Sequence, residues 1–329
     1  MKYQIILAAQ RLKRVSTFRI GNPYAVVKKI SNDDEIILGR TEEIEDTLNP
    51  RWSTPIDIET DDDDDSSTPL RVIIYDDSST SSQKILLAEA TFNLMSVHAG
   101  EGHTLLLNDD RIRVTVLESI MGSDRGIMNI QFRLLDVKNI ESGLLGLGKS
   151  DPFVEIEKYS TSEIKDNNDE DDDDDENNDT SNPNHWLLAY RTEQIMDNLN
   201  PVFDEFRIDT EKLCFCNMTW PIRLVIYDWQ SNGKHRPIGY TIPLTIEEIR
   251  NECISLNGNA DRSNAVRIID TSSSIKKQLL KIKKRETTKK IKLRGDVVIL
   301  KADYYSVIEK EEKQQSSWWT EVCGFCCCL

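Results

Sequence analysis

Arg40-Thr41-Glu42-Glu43-Ile44-Glu45-Asp46-Thr47-Leu48-Asn49-Pro50 occurs twice in this chain. It returns as Arg191-Thr192-Glu193-Gln194-Ile195-Met196-Asp197-Asn198-Leu199-Asn200-Pro201, with eight of the eleven positions identical. An aromatic residue follows each copy, Trp52 and Phe203. A repeat of this length marks one module built twice.

The match extends outward. Leu70-Arg71-Val72-Ile73-Ile74-Tyr75-Asp76 answers to Ile222-Arg223-Leu224-Val225-Ile226-Tyr227-Asp228, and Asn22-Pro23-Tyr24 answers to Asp151-Pro152-Phe153. The offset between copies is 129 at the upstream match, 151 at the central one and 152 at the third. The second copy therefore gains 22 residues between Pro152 and Arg191, where the Asp/Asn/Glu run 166–179 lies. That run is an insertion in a loop.

The 329 residues suit two ordinary domains, each large enough for its own core. The net charge of −16 says little about partners, because Asp61–Asp65 supply −5 and the run 166–179 supplies −10. Such acidic blocks are solvated stretches. The opposite sign is concentrated at 276–294, with ten Lys or Arg against one Glu. Lys281, Lys283, Lys284, Arg285, Lys289, Lys290 and Lys292 form a basic patch that would attract phosphates of lipid or nucleic acid. No 18-residue apolar run exists, and Ile5–Ala9 is too short for a signal-peptide core and reads as the first strand. Cys214, Cys216 and Cys253 have no metal or disulfide-framework spacing, which suits a reducing, cytosolic setting.

Short alternating runs at Ile112–Leu117 and Met128–Leu134, and apolar, β-branched stretches at Pro23–Val27, Leu70–Tyr75 and Asp296–Ala302, predict strands. Asn-Pro, Gly and Asp-rich turns separate them, so the fold class is all-β, two packed sandwiches. One helix is expected at Thr245–Glu252, with Thr245 as its cap. The expected domains are 1–118 and 126–305, joined by a linker at 119–125. The acidic insertion falls at about 160–185, and a tail occupies 306–329.

The second module resembles a C2 domain, specifically the second C2 domain of copines. The resemblance is carried by Gly148-Lys149-Ser150-Asp151-Pro152-Phe153, by Arg191-Thr192-Glu193 leading to Asn200-Pro201-Val202-Phe203, and by Ile226-Tyr227-Asp228-Trp229 with Ser231–His235 and Ile238-Gly239. It covers residues 126–305, and the first module joins it through the repeat. The copine von Willebrand A-like domain has no counterpart in this sequence. The resemblance implies two eight-stranded antiparallel C2-type sandwiches, each with three lipid-facing loops at one end and the acidic runs at the other. It also implies a peripheral protein with calcium-dependent phospholipid binding at the cytoplasmic face of a membrane, the plasma membrane foremost, with a cytosolic pool.

The family holds calcium with carboxylates from the first and third loops. In the second module these positions are Leu145, Asp151, Asp228, Gln230 and Arg236; in the first they are Ser16, Asn22, Asp76, Ser78 and Lys84, with Asp77 adjacent. Ca²⁺ takes six to eight oxygens. Asp151 and Asp228, or Asp76 and Asp77, supply too few for a tight site, although Asp136 or Glu141 could contribute. Ordinary Asp turn chemistry accounts for Asp151 and Asp228 equally well. No cofactor is therefore required; a weak calcium site stays open, and whether calcium is bound at all is left to measurement. A calcium-independent route follows: Leu144, Leu145 and Leu147 offer an apolar loop tip, and Arg236 and Lys84 replace the metal's charge.

Cys326-Cys327-Cys328-Leu329 formally fits the C-a-a-X prenylation pattern, although its two middle residues are cysteines and not aliphatic, with Cys323 as a palmitoylation candidate; the alternative is a palmitoylated cluster of Cys323 and Cys326–Cys328. One lipid chain anchors marginally, and the basic patch is the second signal. The expected partner is an anionic phospholipid membrane. The competing reading is a calcium-independent adaptor that binds protein partners. No nucleic-acid-binding pattern or small-molecule substrate is indicated, and the four scattered histidines with no nucleophile motif argue against an enzyme.

Overall fold

The computed structural model describes residues 2–17, 19–31, 34–59, 67–77, 84–100, 103–118, 122–141, 148–160, 186–255, 265–270 and 293–306. The first module forms β1 (Lys2–Ala9), β2 (Pro23–Ser31), β3 (Asp34–Arg40), β4 (Ile56–Glu59), β5 (Leu70–Asp76), β6 (Ile85–Phe92), the short helix α1 (Leu94–His98), β7 (Thr104–Leu107) and β8 (Ile112–Glu118). The second forms β9 (Gly126–Leu135), β10 (Pro152–Tyr159), β11 (Trp186–Arg191), β12 (Phe206–Asp209), helix α2 (Thr210–Cys214), β13 (Ile222–Asp228), β14 (Arg236–Thr241), helix α3 (Ile246–Ser255), β15 (Val266–Ile269) and β16 (Leu293–Ser306).

Among the described residues each module thus has eight strands, and every pairing is antiparallel. In the first, the sheets run β4-β1-β8-β7 and β3-β2-β5-β6. In the second, the order is β11-β10-β13-β14-β15-β16-β9-β12, the same order strand for strand. There the pairs Tyr240↔Ile269 and Thr241↔Ile268 join the two halves. Alternation sends one set of side chains inward. Ala25, Val27, Val72 and Ile74 meet Ile5, Leu7, Val114 and Val116 in one core; Val154, Ile156, Leu224 and Ile226 meet Met128, Ile130, Phe132 and Val297 in the other. The expected helix is α3. Thr245 and Glu248 close a reciprocal cap, with the Glu248 N–H donating to Thr245 Oγ1 and the Thr245 N–H to the Glu248 carboxylate.

The repeated stretch does the same work in both modules. Arg40 lies over the Tyr24 ring at 3.9 Å, and Arg191 over Phe153 at 5.3 Å. Thr41 Oγ1 accepts the Ala25 N–H, and Thr192 Oγ1 accepts the Val154 N–H. Glu42 accepts the Ser53 N–H, and Glu193 the Asp204 N–H. Asp46 and Asp197 both take left-handed backbone, with φ of 47° and 52°. Asn49 Oδ1 accepts from Arg11 N and Asn200 Oδ1 from Asp136 N, each at 2.8 Å. The carbonyls of Pro50 and Pro201 receive Ala9 N–H and Leu134 N–H. Trp52 and Phe203 fill the two cores. The identical residues are therefore the ones that tie loops to strands.

The modules pack against each other. Ile6 and Leu117, on the outer face of β1 and β8, meet Leu187 and Phe215. Gln4 Nε2 donates to Glu211 Oε1 at 2.9 Å. At the centre Arg51 reaches Glu155 at 2.7 Å, bonds Glu157, and donates to the Trp186 carbonyl at 3.0 Å. Arg191 bonds the same Glu155 and Arg223 the same Glu157, so three guanidiniums bracket two buried carboxylates. Burial works against the charge of Arg51, but Glu157 and Glu155 outweigh it and raise its pKa. Glu157 is likewise held below the usual carboxylate range by Arg51 and Arg223, despite its burial.

Candidate functional site

The loops at the Pro23/Asp76 end of the first module and the Pro152/Asp228 end of the second lie side by side. The third loop of the second module comes so close to the second loop of the first that a Cβ on Gly233 (φ +70°) would stand 2.9 Å from the Asp46 carbonyl oxygen. A side chain there meets both a disfavoured backbone conformation and a backbone atom. Both sets of loops consequently open at one end of the molecule. The acidic runs 61–65 and 166–179 lie outside the described residues. The strand ends that lead into them, Glu59, Leu70, Tyr159 and Trp186, are at the opposite end from Asp76 and Asp228.

In the second module Asp228 is fully buried. Its Oδ1 accepts the Asp151 N–H at 2.9 Å, and its Oδ2 accepts Arg236 Nη2 at 2.6 Å and Gln230 Nε2 at 2.7 Å. Glu141 joins from the first loop: its Oε1 accepts Gln230 Nε2 at 3.2 Å and lies 3.7 Å from Arg236 Nη2. Asp151 points elsewhere and accepts the Asp197 N–H at 2.6 Å. Burial, then the neighbouring Glu141, Asp197 and Asp228 carboxylates, raise its pKa.

In the first module Asp76 is also fully buried. Its Oδ1 accepts the Asn22 N–H at 2.6 Å, as Asp228 does for Asp151. Arg19 Nη2 sits 3.1 Å from Asp76 Oδ2 and donates to the Asp77 carbonyl at 3.2 Å. Gly21 (φ +112°) permits this approach, since a Cβ there would lie 2.9 Å from Asp76 Oδ1. Asp77 stands beside Glu43, whose pKa is raised first by burial and then by Asp77.

Each module therefore places one arginine on the buried aspartate at its loop end. Arg236 comes from the start of β14 and Arg19 from the loop between β1 and β2. The expectation that Lys84 supplies this charge is corrected: its Nζ lies 5.8 Å from the Tyr24 ring centre and 5.7 Å from that of Tyr75. Arg19 takes the role instead, from a loop where the copies do not align. Glu141 reaches the cluster, whereas Asp136 serves the loop start through its backbone.

In the second module the described residues do not fit a calcium ion. Both oxygens of Asp228 are already engaged, and a guanidinium fills the space between Asp228 and Glu141. Among the described residues, no cluster of three metal-ligating side chains is present. Leu144, Leu145 and Leu147, the basic patch Lys281–Lys292 and Cys323, Cys326, Cys327 and Cys328 lie outside the described residues. Among the described residues, no helix is long and apolar enough to cross a membrane.

Two β-sandwiches of one topology, with their loops gathered at one end, define a tandem loop-presenting module. The C2 domain family model matches residues 4–108 and 128–252, more than half of the chain, and the chain belongs to that family. Among solved structures, the chain is similar to BON1-C2B, at 13% identity over 55% of this chain and 93% of that one, TM-score 0.36. It is also similar to the calcium-bound pair of C2 domains of Extended-Synaptotagmin 2, at 10% identity over 93% and 97%, TM-score 0.27. A C2 domain of RIM from Drosophila matches at 18% identity over 36% and 97%, TM-score 0.25.

Proposed function

We propose that this chain is a copine-type, peripheral phospholipid-binding protein whose two C2 domains dock one loop-bearing end on an anionic membrane without requiring calcium. The observation that carries this reading is the arginine on each buried aspartate, Arg19 on Asp76 and Arg236 on Asp228. A fixed guanidinium supplies positive charge where a bound cation would otherwise supply it. Arg19 and Arg236 remain partly exposed, so their outer N–H groups face the solvent that a lipid surface would replace. Lys281–Lys292 and lipidation at Cys323 and Cys326–Cys328 add the second and third attachments, which makes binding stable. The role is binding rather than catalysis, at the cytoplasmic face of the plasma membrane.

Sedimentation of the unlipidated full chain with phosphatidylserine-containing vesicles tests this. We expect retention that is unchanged by a calcium chelator and falls with salt. Arg236→Glu should weaken it about tenfold or more, because each basic residue near such a surface contributes about 1 kcal/mol and the reversal counts twice. Retention that requires calcium overturns the reading. No retention at physiological salt favours the alternative, a protein-interaction adaptor.

A further inference from the structure

Where the two modules meet at the loop end, residues of both line a half-open cavity of about 140 Å³. Glu45 and Asp46 come from the first module; Phe153, Arg191, Trp229 and His235 come from the second. The space suits on the order of ten water molecules, which is headgroup size.

The second module's wall carries unused donors. Arg191 commits Nε and Nη2 to Glu155, and no described residue bonds its Nη1. His235 Nδ1 accepts the Gln230 N–H at 3.1 Å, so the ring proton belongs on Nε2, which no described residue bonds. The Trp229 indole N–H has no partner among the described residues either. His235 stacks on Trp229 with ring centres 6.3 Å apart and meets Phe153 edge-on at 5.1 Å, which fixes the wall. Burial, then Arg191, lowers the His235 pKa to about 4, so at neutral pH the ring is an uncharged donor. The facing wall has the opposite character: Glu45 and Asp46 are exposed, and neither forms an ion pair with a described residue.

A simple anion would gain Arg191 and meet repulsion from Glu45 and Asp46. A simple cation would meet the reverse. A phosphate and an ammonium on one small molecule satisfy both walls: the phosphate takes the three N–H donors, and the ammonium takes the carboxylates and the aromatic faces. We propose that this interdomain cavity binds the phosphate–ammonium zwitterion of a phosphocholine or phosphoethanolamine group. A lipid headgroup and a soluble phosphoester carry the same chemistry. The site does not depend on the loops docking on an anionic membrane.

Calorimetric titration of the full chain with phosphocholine, inorganic phosphate and choline tests the proposal. Phosphocholine should bind at least about tenfold more tightly than either half. Trp229→Phe keeps the ring, removes one N–H and should weaken phosphocholine about fivefold, the worth of one hydrogen bond. Glu45→Gln with Asp46→Asn should weaken phosphocholine and strengthen inorganic phosphate, a sign reversal that a merely structural disturbance does not produce. Equal binding of phosphocholine and phosphate, no binding of phosphocholine, or weakening of both by the double variant overturns the site. Where phosphocholine binds, release of the chain from phosphatidylcholine vesicles by soluble phosphocholine assigns the membrane as the source. Binding without vesicle retention assigns a soluble phosphoester. Phosphatidylserine vesicles report on loop docking separately.

Discussion

The two domains share one strand order, yet their faces toward each other are unlike. The registers put Ile6 of the first domain where the second has Gln131, Leu117 where it has Asp303, and Arg51 where it has Val202. Ile6, Leu117 and Arg51 press against the second domain; Val202, its counterpart to Arg51, is 52% exposed. The receiving faces differ too. Glu155 and Glu157, which take Arg51, correspond to Val26 and Lys28 in the first domain. Duplication copied the residues that hold a sandwich together. The residues that join one sandwich to the other exist once, so the pair closes on itself and does not propagate a head-to-tail chain.

The largest test of that asymmetry is Arg51→Ala. It leaves Glu155 and Glu157, each almost wholly buried, with one cation apiece and a desolvated gap. Breaking a buried ion network by removing one partner costs about 3–5 kcal/mol. We expect denaturant unfolding to lose that amount, and small-angle scattering to show the domains moving apart. Val202→Ala, at the matching position, should stay within about 0.5 kcal/mol. Equal losses at both positions would mean that Arg51 acts inside its own sandwich rather than across the seam.

The second test uses His235, which the seam encloses on the second domain's side. Its folded pKa of about 4 lies below the ordinary 6.5. Below pH 6.5 the unfolded chain takes up a proton that the folded chain refuses, so stability falls as pH drops from about 6.5 to about 4. The ring is only partly buried, so solvent screening discounts the shift and the loss across that window is on the order of 1 kcal/mol. Denaturation midpoints measured from pH 7 to pH 4 should show the slope, and His235→Asn should flatten it. A slope unchanged in the variant would place the proton uptake on carboxylates such as Glu157 instead.

The sandwiches were legible because their constraints are local. Alternation, Asn-Pro turns and the Arg-Thr-Glu segment each impose a strand or a loop tie that reads the same in any context. The α3 cap was legible for the same reason. The loop-end charge was half legible: Arg236 follows Asp228 on a hairpin that the repeat aligns, whereas Arg19 sits between Ser16 and Asn22, where the copies share no residues. The seam was not legible, because its members Gln4, Ile6, Arg51, Glu155 and Trp186 lie far apart in sequence and meet only when both domains are built. The one available signal was asymmetry at aligned positions. An arginine in one copy and an exposed valine in the other, inside an otherwise faithful repeat, mark a residue released from the common fold for a separate task.

Smaller losses than at Arg51 should fall where the domains agree. Asn49 and Asn200 each accept one backbone N–H at the start of the first loop, at the same 2.8 Å. Replacing either by Ala removes one hydrogen bond that holds the Asn-Pro turn to that loop, a loss of about 1 kcal/mol. The positions share no partner, so the double variant should lose the sum of the two, within about 0.5 kcal/mol. Chemical denaturation of the two single variants and the double variant measures this. Matching losses would show that the duplicated scaffold still carries equal load in both domains. A markedly larger loss at Asn49 would mean that its loop transmits strain into the seam through Asp46 and Gly233, which touch across it. The scaffold and the joint would then be coupled, and the division between copied and unique residues would be one of sequence more than of energetics.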